Sequence, residues 1–131
     1  MEIEKIYKNL ILADFIVIIL MVIASMYQPD EISNIYKNLN DGLLSNFENF
    51  SRIVSISLFF LYLFTLNLLY RFISYGKNLY LFLVVAGLIL NYLSGSVVYS
   101  AFSGILDQIG GLISGAILIL LFFSPIKNNF R

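Results

Sequence analysis

Three polar side chains stand where an apolar chain should not carry them: Asp14, Asn67 and Arg71. An ionisable group within a membrane segment costs on the order of 2.5 to 3.5 kcal/mol at the centre, so each is a functional candidate by default. Asn67 and Arg71 share a helix face at i, i+4. The spans set out below place Asp14 and Arg71 each about a turn inside the same boundary, where they could pair. The chemistry open to such a strip is narrow. Asp14 could carry a proton or a cation. Alternatively, Asp14 and Arg71 form a structural ion pair, or both side chains reach the interface. The structural role is the expected one.

No catalytic set is legible beside them. The chain has no Cys, no His and no Trp. This removes thiol chemistry, disulfides, His-ligated haem and the usual zinc sites. Ser-Lys chemistry needs a lysine near a serine in the membrane plane, but Lys77 and Lys127 fall in a loop and a tail. The expectation is therefore no enzyme, no metal and no cofactor. Formal net charge is zero, which gives no field to attract nucleic acid.

The elements that hold these residues come from hydropathy. Of 131 residues, 60% are hydrophobic and only 12% charged, about half the charged share of a soluble domain. Uncharged runs extend over Phe15–Pro29, Ile53–Tyr70, Asn78–Leu106 and Gln108–Ile126. Roughly 20 helical residues cross a hydrocarbon core of about 30 Å. The pattern predicts an all-α fold: a single four-transmembrane-helix bundle with spans at about 9–27, 50–75, 79–99 and 105–123 and an outer loop at 28–49. The first apolar run holds Asp14 and is followed by no small-x-small site, so it reads as a retained span rather than a cleaved signal.

Within the outer loop, Ile32, Ile35, Tyr36 and Leu39 recur at helical spacing, with Glu31, Asn34, Lys37 and Asn38 opposite. Pro29 and Asp30 suit a helix start. Residues 30–40 thus read as a short amphipathic helix, lying on the outer membrane face or capping the bundle. Asp41-Gly42 reads as a turn. The stretch Ser74-Tyr75-Gly76-Lys77-Asn78 reads as a short loop that makes spans 2 and 3 antiparallel neighbours.

Orientation follows from Lys and Arg, which collect on the cytoplasmic side. With both termini inside, Lys5, Lys8, Arg71, Lys77, Lys127 and Arg131 are cytoplasmic and only Lys37 and Arg52 lie outside. Tyr7, Tyr70, Tyr75 and Tyr80 fall near the inner boundary, and Tyr27 and Tyr99 near the outer one, as an aromatic belt would.

Small residues suggest how the spans pack. Gly87, Asn91 and Gly95 share one face of span 3; Asp107, Gly111 and Gly115 share one face of span 4. The G-x-x-x-G spacing lets helix backbones approach closely. Packing of spans 3 and 4 on each other is the first expectation. Contacts in a homo-oligomer or larger membrane complex, or a substrate path, are the alternatives.

From Leu61 onward the chain resembles a family of small, uncharacterised bacterial inner-membrane proteins with four helices. The resemblance lies in Leu61-Tyr62-Leu63-Phe64, in Tyr75-Gly76-Lys77 and in Leu81-Phe82-Leu83-Val84-Val85. It continues in Gly115-Ala116-Ile117 and in the tail Ser124-Pro125-Ile126-Lys127-Asn128-Asn129-Phe130. It covers about half the chain, and the family's N-terminal Gly-Gly-Trp-Leu stretch is absent. It implies a fold and a bacterial inner membrane, and no activity. The small multidrug transporters, four short helices with an acid in the first, are a second likeness. Asp14 would be the matching acid, but the outer loop here is longer and the aromatic cage lacks Trp. The function expected is a non-catalytic membrane protein acting through helix contacts. A small proton- or cation-coupled transporter or channel using Asp14, or an immunity protein against a membrane-active toxin, are the alternatives.

Overall fold

The computed structural model describes residues 2–27, 29–40, 45–93 and 100–131. They form five α-helices and a short 3-10 turn: α1 (Glu2–Met26), α2 (Asp30–Asn40), α3 (Ser45–Tyr70), α4 (Ser74–Leu93), α5 (Ala101–Phe123) and Pro125–Asn129. Three helices are long and apolar enough to cross a membrane: α1, Ile53–Tyr70 of α3, and α5. Their outer surfaces stay apolar, with Ile16, Phe60, Leu112 and Ile119 among the exposed side chains. A surface this apolar suits lipid rather than water. The four long helices run alternately up and down, so α1 starts, α3 ends, α4 starts and α5 ends at one end of the molecule. Contacts of Tyr7 with Phe72 and Phe130 define that end.

Each inward stripe has helical spacing. On α1 it is Tyr7, Ile11, Asp14 and Val17. On α3 it is Thr65, Leu66 and Leu69, and on α5 it is Ser103, Leu106, Ile117 and Leu121. α1 lies chiefly against α5, and α3 chiefly against α4. α1 also meets α3, and α4 meets α5 only slightly. The expected packing of the third and fourth spans on each other is therefore minor, because α1 occupies the inward face of α5.

α1 begins at Glu2, seven residues before the expected start at position 9. Glu4 and Lys8 pair at i, i+4 (2.9 Å) and support the extra turns. The reversal between α3 and α4 is also tighter than expected. It occupies residues 71–73, and Ser74–Asn78, expected as a loop, is the first part of α4. Phe72 takes a left-handed conformation (φ 58°), and the Phe72 and Ile73 amides donate to Leu69 O and Leu68 O at 3.0 Å each. This closes the helix end as a C-terminal cap does. A side chain at Gly76 would stand 3.1 Å from Leu68 Cβ and 3.3 Å from Leu69 N. Its hydrogen lets α4 start directly against α3.

Pro29 accepts from the Ile32 and Ser33 amides and so starts α2 at the residues whose periodicity predicts a helix. Ser100 caps α5 by accepting from Ser103 N. Ser124 ends it, donating to Leu120 O at 2.6 Å and accepting from Ile126 N. The tail then returns to the α3–α4 reversal. Arg131 N donates to Phe72 O (3.0 Å), and Ser74 N donates to Arg131 O (2.8 Å). Tyr7, Phe72 and Phe130 stack beneath it, with ring centres 5.3 to 6.2 Å apart. Tyr7 and Tyr80 are fully buried core residues, unlike the belt expected of them, whereas Tyr70 and Tyr75 are exposed at this end. The Asp41-Gly42 turn and Tyr99 lie outside the described residues.

Candidate functional site

Asp14 is 1% exposed and belongs to the core stripe of α1. Asp14 stands about 18 Å along α1 from its start at Glu2. Three other helices reach it. Tyr62 of α3 donates its hydroxyl to Asp14 Oδ2 at 2.7 Å. Tyr80 of α4 donates to the same oxygen at 3.4 Å, and its hydroxyl lies 3.2 Å from that of Tyr62. Ser114 of α5 places its Oγ 3.5 Å from Tyr62 Oη. The Tyr62 and Tyr80 rings lie side by side, 5.6 Å between centres.

The electrostatics are unusual for a buried acid. No cation forms an ion pair with Asp14; Glu4–Lys8 is the ion pair found among the described residues. The donors that face the carboxyl are phenols and a hydroxyl. The Tyr62 bond at 2.7 Å is the shorter of the two phenol contacts. Tyr62 and Tyr80 each have one proton, so both can serve Asp14 only if the carboxyl acts as acceptor to both.

Arg71 and Asn67 do not join this cluster. Both are exposed, and the expected Asp14–Arg71 pair is not formed. The reason is helix phase. Thr65, Leu66 and Leu69 point inward, and at 100° per residue Asn67 and Arg71 fall off that stripe. Tyr62 falls on it, three residues before Thr65. Thr65 satisfies its own hydroxyl by donating to Leu61 O at 2.7 Å. Tyr62, Tyr80 and Ser114 were not expected as site residues. The available signal was their place on the inward stripes. Among apolar neighbours, hydroxyls on those stripes must find a buried partner.

The small-residue faces differ from expectation as well. Gly87 and Asn91 are exposed on α4, and Gly111 is exposed on α5. Cβ atoms built at Gly87, Gly111 and Gly115 would meet nothing within 4 Å. Gly110 is the α5 glycine that faces α1, 3.5 Å from Val17 Cγ1. Gly95 lies outside the described residues. Asp107 is half-buried on α5. Gly87 lies seven residues after the buried Tyr80, and Asn91 four further, so the inward stripe of α4 continues past Leu83 without cover.

No group of three or more metal-ligating side chains occurs among the described residues. The chain matches no family model, no curated protein and no solved structure.

Proposed function

We propose that this is a four-span integral membrane protein of a bacterial inner membrane, with both termini cytoplasmic, that acts without catalysis through helix–helix contacts. It serves as an accessory subunit or forms a small oligomer. In this arrangement α4 is the remaining span and α2 lies on the outer face. The observation that carries the reading is the uncovered strip of Gly87 and Asn91 on α4 and of Gly111 and Gly115 on α5. Among the described residues, Gly87, Asn91 and Gly111 are exposed, and Gly115, half-buried, leaves room for a Cβ. In lipid, small residues mark where a backbone from another helix can approach, and an unpartnered amide gains by finding a partner there.

Purification in mild detergent, followed by light scattering and mass spectrometry of co-eluting proteins, tests this. The expected result is an oligomer or a specific partner that is lost in a Gly111→Leu/Gly115→Leu variant with unchanged helicity. A lone monomer recovered from every mild detergent would overturn it.

One observation favours a second reading. Asp14 is a buried carboxyl with hydroxyl partners on three helices and no ion-paired cation, a composition that suits proton or cation exchange. In that case Asp14→Asn abolishes pH-dependent flux in liposomes while the fold persists. Equal flux in wild type, Asp14→Asn and empty vesicles removes this reading.

A further inference from the structure

Outside the Asp14 cluster, the end of the molecule that carries the α3–α4 reversal holds a second polar feature. It is a cavity of about 480 Å³ lined by Glu4, Arg71, Asn128, Asn129 and Arg131 together with the reversal backbone. Two arginines line one space. Neither Arg71 nor Arg131 is ion-paired among the described residues, and the one acidic side chain at the rim, Glu4, is held by Lys8 at 2.9 Å. The Arg131 backbone is tied to Phe72 and Ser74 by two hydrogen bonds, which place this residue beside those that follow Arg71.

We propose that this cavity binds a phosphate group, that of an anionic phospholipid headgroup. A guanidinium presents paired N–H donors that match phosphate oxygens two at a time. The Asn128 and Asn129 amides add neutral donors for further oxygens of phosphate or glycerol. Depth agrees with a lipid source. α3 ends at Tyr70 and α4 begins at Ser74, so the cavity lies where spans leave the hydrocarbon. The exposed Tyr70 and Tyr75 rings sit at the same level, as interfacial aromatics do. Basic pockets at this depth select anionic over zwitterionic headgroups, because a choline ammonium is repelled by the charges that hold the phosphate. The proposal requires the chain to lie in a membrane and does not depend on any partner or on Asp14.

The test uses the full chain in mixed micelles with equal phosphatidylglycerol and phosphatidylcholine, read by native mass spectrometry. The wild type retains phosphatidylglycerol in preference. Arg71→Gln/Arg131→Gln binds it at least about tenfold more weakly, since a lost charged hydrogen bond is worth roughly one decade or more. Lys5→Gln/Lys127→Gln removes as much charge from the same end at exposed side chains that do not line the cavity and leaves the preference intact. Excess inorganic phosphate separates the sources. If it displaces the lipid and binds lipid-free protein through the same arginines, the cavity reads phosphate from either source. If it does neither, the lipid alone is the ligand. Circular dichroism checks the fold, and Arg71→Lys/Arg131→Lys, which keeps charge but loses the fork, serves if the glutamine variant unfolds. Equal retention of the two lipids by the wild type, or equal loss in the lysine and arginine variants, would overturn the proposal.

Discussion

The Tyr62 hydroxyl lies 2.7 Å from Asp14 Oδ2 and ties α3 to α1 through a buried acid. Tyr80 and Ser114 add contacts from α4 and α5, so one carboxyl organises four helices. An acid in that position fixes register: sliding α1 by one residue rotates Asp14 by about 100° and leaves it facing lipid or apolar core. The cluster therefore does what a purely apolar seam cannot, which is to reject neighbouring alignments.

The bond predicts a specific energetic coupling. Tyr62→Phe should destabilise by about 1 to 2 kcal/mol, above the usual interhelical bond in a membrane because the acceptor is a carboxyl. Tyr80→Phe, at 3.4 Å, should cost less. In double-mutant cycles read by unfolding in detergent, Asp14 and Tyr62 should couple by about 1 kcal/mol, and Asp14 and Arg71 should not couple measurably. Coupling between Asp14 and Arg71 alone would contradict the arrangement.

Two glycines should respond with opposite sign. Alanine gains up to about 1 kcal/mol over glycine inside a helix when space is open. Gly111→Ala meets nothing within 4 Å and should leave the isolated chain unchanged or more stable. Gly76→Ala would press a methyl against Leu68 and against the Leu69 backbone at 3.1 to 3.3 Å, and crowding of this kind typically costs about 1 to 3 kcal/mol. Thermal unfolding of the two variants in one detergent decides the comparison. A stable Gly76→Ala protein would show that α4 can move away from α3.

Much of this was legible in the sequence, and the misses share a cause. Long apolar runs announce helices, and Pro29 with the periodicity of 30–40 announces α2. The acid in the first span was visible because charge is rare in such runs. Its partners were not, since pairing depends on rotation about each helix axis. Arg71 looked complementary by charge and depth, but it is two residues past Leu69 and so points away from the core that Leu69 enters. The glycine faces differ from expectation for a related reason: spacing shows that small residues share a side and is silent on which helix covers it. Tyr7 and Tyr80 read as belt residues because tyrosine suits an interface, yet each follows the inward stripe of its helix. The Phe72 reversal had no sequence signal, because a bulky residue seldom takes a positive φ.

Topology makes the next expectation. The excess of Lys and Arg at the end that holds both termini predicts that this end is cytoplasmic. A cysteine at Asn38 should react with an impermeant maleimide in intact cells, and one at Asn128 only after the membrane is opened. The reverse pattern would invert the protein and move the arginine cavity to the outer leaflet.

The tail supplies the last expectation. Phe130 packs on Tyr7 and Phe72, and Arg131 accepts from the Ser74 amide. Lys77 also stands over the Phe130 ring, 4.7 Å from its centre. Phe130→Ala should therefore loosen more than the tail. It removes one wall from the buried Tyr7 ring, at about 1 to 3 kcal/mol for a half-buried aromatic, below the cost for a full core position. It should also release Arg131 from the reversal and expose the Ser74 amide, whose acceptor is the Arg131 carbonyl. Hydrogen exchange in detergent reads this directly: faster exchange at Ser74 with unchanged protection at the Asp14 level of α1 is the expected result. Unchanged exchange at Ser74 would mean that the α3–α4 reversal holds its shape without the tail.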